Sequence, residues 1–384
     1  VAQQTGHAGE LLDLLRSGGP LSRIDVIDRT GLSRSTVNQR LAALERAGLI
    51  REIGGAESSG GRPSTRFDFN AGRAKVLAAD IGAMGFTLAV CDLAGEPIEH
   101  ASYDVEVWSG PETVLAMVQE GFDALADPEE VWAVAIGVPG PVEFDAHRVV
   151  NPPIMTGWDG FDIAAAFEGR YRGPVVVEND VNARAVAEAR RSGLRNLIAL
   201  KLGTGIGAGL VFNGQIVRGD RGAAGDIGHT RSGHPDPEPR PCRCGNLDCL
   251  ETYAAGWALV RRLADLGRDV HRTSDVATLV AQGDMEAVRL VRAAGRTIGE
   301  GVASLVSILN PRLIALSGQL AECGEVLMSG IRERVYQQTL PLATRDLQIV
   351  RSELGELAGV SGLALIAIDT LLVPDSLDRI LAAA

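Results

Sequence analysis

The feature that most restricts the fold of this chain is a recurring unit. A strand-length apolar run breaks off in a loop of glycine or acid, and either a second strand or a helical pattern follows. The unit is clearest in KVLAADIG (75–82), AVAIGVPGPV (133–142), PVVVEND (174–180), NLIALKLGTG (196–205) and RLIALSG (312–318). Such runs read as buried strands, and strands alternating with helices over about 300 residues imply an α/β body of two lobes. The chain has 384 residues, of which 46% are hydrophobic, so there is material for more than one core. Only 4% are aromatic while 46 are glycine, which suits an α/β protein rich in tight turns. No apolar run is long enough to span a bilayer and no signal-peptide pattern opens the chain, so a soluble, cytoplasmic protein without a membrane partner is expected. There is no repeat of solenoid period.

The N-terminal segment has a different pattern. AGELLDLLRS (8–17) is a short amphipathic helix ended by Gly18, Gly19 and Pro20. Two helices joined by a tight turn follow: Ser22 caps the first with Asp25 as its reciprocal partner, and Thr30 and Gly31 form the turn. Ser33 caps the second, whose apolar positions Val37, Leu41, Leu44 and Leu49 fall at helical spacing. Arg34, Ser35, Thr36, Asn38, Gln39 and Arg40 gather near its start, the residue types and the helix end that enter a major groove. LIREIGGAESSGGRPSTRFDFN then reads as two short strands around a Gly/Ser loop, a wing whose Arg62 is placed to lie in an adjacent minor groove. Residues 1–70 are therefore read as a winged helix-turn-helix that binds a DNA operator; a helical hairpin for dimerisation is the alternative. Charge does not forbid DNA binding. Net charge is −12, but residues 1–70 hold nine Arg against eight acidic residues, so the remainder carries the excess. Lys75 and Lys201 are the only lysines, a scarcity read as codon bias.

Cys242, Cys244 and Cys249 fall within eight residues of one another, downstream of His229. A Cys₃His set suits tetrahedral Zn²⁺ with no open position, hence a structural ion. Reduced buried cysteines are the alternative, and His234 ranks behind His229 as the fourth ligand. In KLGTGIGAG, the turn of Gly203, Thr204 and Gly205 lets backbone N–H groups approach a phosphate, though such turns are common. Asn179 and Asp180 end a buried strand and start a helix, where an Asp can take a proton from a sugar hydroxyl or where either residue simply caps the helix.

Together, GVPGPV (137–142), PPIMTGW (152–158), ENDVNA (178–183), GTGIGAG (203–209), AAGDIGHT (223–230) and CRCGNLDCLE (242–251) resemble the ROK family of repressors, open reading frames and sugar kinases over essentially the whole chain. The resemblance implies a winged helix-turn-helix followed by an actin-like, hexokinase-like (ribonuclease H-like) pair of α/β lobes. The first lobe is expected over 75–178, rejoined by a C-terminal helix at about 365–384, and the second over 179–364 with the zinc loop. It also implies that Gly140, Asn179, Asp180, Asp226, His229 and Glu251 form the sugar site, with Asp180 the catalytic base in kinase members. His229 would then serve zinc and sugar through its two ring nitrogens.

The sequence departs from the family pattern in places. Asp226 stands where Glu is usual, one methylene shorter. Asp248 replaces a Gly, in what is expected to be an exposed knuckle. In the first phosphate hairpin Asp80 and Gly82 remain, but Ala83, Met84 and Gly85 replace the Gly-Thr-Lys of kinase members. Late in the chain Ser317-Gly318 stands where kinases often have Gly-Gly near the adenosine. Phosphoryl transfer depends on positioning and charge stabilisation, so ATP and Mg²⁺ are not expected as cofactors. The reading is a sugar- or sugar-phosphate-responsive transcriptional regulator, most simply a repressor, acting as a homodimer or tetramer on a palindromic operator. The alternative is an active ATP-dependent sugar kinase with an appended DNA-binding head.

Overall fold

The structure is a computed structural model and describes residues 8–54, 65–233 and 236–383. Helix α1 (Ala8–Gly18) buries Leu11, Leu12 and Leu15, and β1 (Leu21–Ser22) leads into α2 (Arg23–Thr30). The capping box is closed in both directions: Asp25 N donates to Ser22 Oγ at 3.2 Å and Ser22 N donates to Asp25 Oδ2 at 2.8 Å. Gly31 ends α2 in the left-handed conformation (φ 67°), and Ser33 caps α3 (Arg34–Arg46) through the Thr36 N–H. Strands β2 (Ile50–Ile53) and β3 (Arg66–Phe69) pair antiparallel, with β1 on the far side of β3. This is the winged head; the wing tip with Arg62 lies outside the described residues.

The body begins with β4 (Lys75–Ile81), β5 (Gly85–Cys91) and β6 (Pro97–Asp104), an antiparallel meander. Helix α4 (Pro111–Leu125) then returns the chain to β7 (Val131–Val138), parallel to β4. After the small hairpin β8 (Val142–Glu143) and β9 (Arg148–Val149), β10 (Val175–Asn179) completes a sheet of order β10-β7-β4-β5-β6. Helix α5 (Asp180–Ser192) crosses to the second sheet, which contains β11 (Leu197–Leu202), β12 (Ile206–Phe212) and β13 (Gln215–Ile216). Helices α6 (Glu251–Ala254), α7 (Gly256–Asp265), α8 (Thr273–Ala281) and the long α9 (Met285–Leu309) pack there. Strand β14 (Leu313–Ser317), helices α10 (Glu325–Gln338) and α11 (Pro341–Thr344), and strand β15 (Gln348–Arg351) give the order β13-β12-β11-β14-β15. The β4 and β7 strands are almost wholly buried, which explains their long apolar runs.

Helix α12 (Ala358–Leu371) packs on α5 and on strands β4 and β7 of the first sheet. The last helix does not follow it. The expected C-terminal helix at about 365–384 is two helices, and α13 (Pro374–Ala383) turns away onto α1 and α3 of the head. Leu377 is buried in one continuous apolar core with Leu11, Leu12 and Leu15, and with Leu363 and Ala367 of α12. The head thus shares its core with the first lobe. Among the described residues no single helix is long and apolar enough to cross a membrane.

Candidate functional site

The carboxyl ends of β4, β7 and β10 meet the start of α5 at the junction of the two sheets, and four of the expected residues lie there. Asn179 is the N-cap of α5: its Oδ1 accepts from Val181 N (3.0 Å) and Asn182 N (3.3 Å). Its Nδ2 donates to Gly140 O at 2.9 Å, so the whole amide is engaged in holding α5 and the 137–142 loop together. The next residue, Asp180, is buried and its Oδ2 pairs with Lys201 Nζ of β11. On the first lobe Asp80 is buried beside it, and Arg184 Nη2 of α5 pairs with Asp80 Oδ2 at 2.6 Å. Burial pushes the pKa of Asp80 up, against the opposing pull of Arg184 and Lys201. Asp80 Oδ1 is buried without a partner among the described residues. Glu178, also buried, accepts from Asn182 Nδ2 (2.9 Å) and from Arg218 Nε (2.7 Å), whose guanidinium stacks 4.0 Å over Phe144.

On the second lobe Glu251 Oε1 accepts from Ile206 N at 2.6 Å, pinning α6 to the glycine turn. Burial raises the Glu251 pKa, while the Ile206 N–H and nearby His229 pull it down. His229 ends a short 3-10 turn that starts at Asp226, so Asp226, His229 and Glu251 converge on one side of the cleft, with Asp226 exposed. His229 Nδ1 faces Cys242 Sγ at 3.5 Å, and Cys244 Sγ lies 3.7 Å from Cys249 Sγ. All four ligand atoms fall within 4.8 Å of one another. Tetrahedral zinc with Zn–S near 2.3 Å and Zn–N near 2.05 Å requires about 3.8 Å between sulfurs and about 3.6 Å from sulfur to nitrogen. The observed spacings fit that ion. His234 lies outside the described residues.

Asp248 is not on an exposed knuckle. It is buried, with φ 59°, and its Oδ1 accepts from Arg240 N (3.0 Å) and Tyr253 Oη (2.8 Å). The left-handed backbone explains why glycine serves there elsewhere, and the carboxylate knits the cysteine loop to α6.

The phosphate-like loops are held by internal contacts. Gly82 N donates to Gly85 O at 2.7 Å and closes the first hairpin, and Ala83 O accepts from Val107 N at 3.0 Å, leaving Met84 exposed at the tip. In the second loop Gly203 N donates to Gly205 O at 3.0 Å, while the Gly203 and Thr204 carbonyls receive the first N–H groups of α7. Gly209 lies against the α5 backbone at Val181, too close for a Cβ, so part of this glycine pattern serves helix packing. Gly318 follows β14 with φ 88°, beside the Leu202 backbone.

On the head, Arg34, Ser35, Asn38 and Gln39 are exposed along one face of α3. Thr36 is half-buried and its hydroxyl is bonded to Ser33 Oγ at 2.8 Å. Arg40 is not on the groove face. It is buried, with Nε and Nη1 lacking hydrogen-bond partners among the described residues. At i+3 from Val37 it falls on the core side of the helix, where phase outweighs its charge.

Residues 76–370 match the ROK family, and residues 8–51 match the winged helix-turn-helix DNA-binding family. The chain belongs to the ROK family. Relatives of this ROK protein include the xylose repressor of Bacillus spizizenii, 27% identical over 366 residues and 94% of each chain. The DNA-binding transcriptional dual regulator NagC of Escherichia coli is 25% identical over 369 residues, 92% of this chain and 90% of its own. A solved ROK family transcriptional regulator, a homolog of the E. coli MLC protein, superposes over both whole chains with a TM-score of 0.82 at 25% identity. The ROK family glucokinase of Streptomyces griseus, solved with glucose and AMPPNP, covers 77% of this chain and all of its own, at TM-score 0.67 and 28% identity. The resemblance seen in the motifs is thus the family of the protein, and its fold is the winged head on a sugar-kinase-like pair of lobes.

Sequence reasoning missed Lys201, Arg184 and Arg218, the cations that pair the buried acids of the cleft. Lys201 had left a trace. In a chain with two lysines, one of them beside Asp180 is not explained by codon usage.

Proposed function

We propose that this ROK protein is a sugar-responsive DNA-binding transcriptional regulator, acting as a repressor, and that its kinase-like body reads a sugar without phosphorylating it. The observation that carries this reading is the shared core: the exposed α3 face belongs to a head packed, through α12 and α13, against the lobe that holds the cleft. Arg34, Ser35, Asn38 and Gln39 read the major groove and Arg62 reaches the minor groove, in a homodimer on a two-fold operator. Asp180, Asp226, His229 Nε2 and Glu251 hold the sugar hydroxyls, and Asn179 positions the Gly140 loop against them. His229 Nδ1, Cys242, Cys244 and Cys249 would hold a zinc ion, which supplies rigidity and fixes the His229 ring toward the sugar.

Several observations oppose catalysis. The first hairpin lacks the Thr hydroxyl and the cation that would meet a nucleotide phosphate, and Asp80 is already paired with Arg184. Operator titration by fluorescence anisotropy, with and without a panel of sugars, tests the proposal. A ligand coupling of ~1–3 kcal/mol would change operator affinity about 5–150-fold, and reciprocity requires the operator to change sugar affinity by the same factor. Equal operator affinity across the panel would refute it. The competing reading, an active sugar kinase with a DNA-binding head, draws on the likeness to the glucokinase. Turnover of Mg·ATP with any sugar of the panel would favour it.

A further inference from the structure

The cleft contains more fixed charge than the sugar site requires. Asp80 on β4, Asp180 and Arg184 on α5, and Lys201 on β11 form two ion pairs, Asp80–Arg184 between the lobes and Asp180–Lys201 within the second. The side-chain exposures are 6% for Asp80, 5% for Asp180, 13% for Arg184 and 25% for Lys201, so only the lysine reaches solvent appreciably. Resting on the sensing reading above, we infer that Lys201 and Arg184 close this centre into two neutral pairs, so that the cleft takes an uncharged sugar in preference to its phosphorylated form.

Consider what each ligand must displace. Asp180 Oδ2 is held by Lys201, and no hydrogen bond reaches its Oδ1 among the described residues. A sugar hydroxyl donates to Oδ1 while both ion pairs stay intact, forming a charge-assisted bond. A phosphate dianion in the same place attracts Lys201 away from Asp180. That leaves a buried carboxylate unpaired and beside a like charge, the costly way to break a buried pair. Arg184 offers no relief, because its Nη2 is held by Asp80 and its Nε, without a hydrogen-bond partner among the described residues, is sealed from solvent. A hydrated divalent cation meets the same obstacle, since Asp80 Oδ2 is taken by Arg184 and its Oδ1 is sealed from solvent.

Calorimetry on the full chain settles the matter, using D-glucose, D-mannose and N-acetyl-D-glucosamine, each beside its 6-phosphate, together with D-xylose. At least one parent sugar is expected to bind, with its 6-phosphate weaker by about tenfold or more. Asp180→Asn leaves Lys201 unpaired and is expected to reverse that order, a change a merely structural role would not cause. Lys201→Met leaves Asp180 unpaired and is expected to widen the gap against the phosphate. Melting temperature and zinc content control for folding in both variants. A 6-phosphate that binds wild-type protein more tightly than its parent, or a preference unmoved by both substitutions, overturns the inference. Operator release by a 6-phosphate alone would leave the sensing reading standing and remove only this one. No binding and no release by any compound would remove both.

Discussion

The carboxylate of Asp80 lies against Gly359 in the first turn of α12, so closely that a Cβ there would overlap it. At the other end of the same helix Asp369 Oδ1 accepts from Arg16 Nη2 of α1 at 3.1 Å, and α13 continues onto α3. One helix therefore touches both the floor of the cleft and the DNA-reading head.

Gly359→Ala tests that connection. The added methyl must push Asp80 or α12 aside, with an expected loss of about 1–3 kcal/mol in urea unfolding. Operator affinity measured without sugar should change as well. If it does not, α12 is not the route between cleft and head.

The cysteine loop should hold metal. Wild-type protein is expected to contain about one zinc per chain by elemental analysis. Cys249→Ser should lose it and weaken sugar binding, because His229 then loses the ion that orients its ring. Sugar affinity unaffected by loss of the ion would separate the zinc loop from the sugar site.

The α3 face and the α3 core should part company. Asn38→Ala or Gln39→Ala is expected to cost ~1–3 kcal/mol of operator binding, read by anisotropy, with the melting temperature unmoved. Arg40→Met keeps the apolar volume and removes buried unpaired donors, so stability should not fall and operator affinity should stay within about twofold. A large loss of DNA binding in Arg40→Met would return that residue to the interface.

The head should carry an acid-sensitive cap. The Ser22 N–H and hydroxyl hold the Asp25 carboxyl below its usual pKa. A depressed folded pKa stabilises above the unfolded value of about 4 and is lost as pH falls through the folded one. Asp25→Asn is expected to cost ~0.5–1 kcal/mol near neutral pH. Thermal melts of the two proteins should converge as the pH is lowered below 4 or so.

The features legible in the sequence were those set by neighbours along the chain. The Ser22–Asp25 box spans three residues, and the left-handed turn needs only Gly31 itself. Buried strands announce themselves by unbroken apolar runs such as VWAVAIGV in β7. The cysteine spacing in CRCGNLDC, with the upstream His229, pointed to the cluster whose atoms the fold brings together. Periodicity and local spacing thus determined a winged head and an α/β body, because each follows from local hydrogen bonding or from burial of one repeating pattern, and the Cys and His spacing marked the cluster.

Tertiary structure alone decided how charge is arranged in the cleft and how the chain ends. Arg184 and Asp80 are 104 residues apart in sequence, and nothing local marks either as the partner of the other. Lys201 meets Asp180 only because α5 packs against β11 and β12 of the second sheet. Arg40 turned inward because its helical phase, set by Val37, Leu41 and Leu44, left no other orientation. Helix α13 joined the head because Leu377, Ile380 and Leu381 find apolar cover there, in the core that the head shares with the first lobe. Each is an outcome of long-range packing, in which the cost of a buried charge or an uncovered apolar face selects among partners that sequence distance hides.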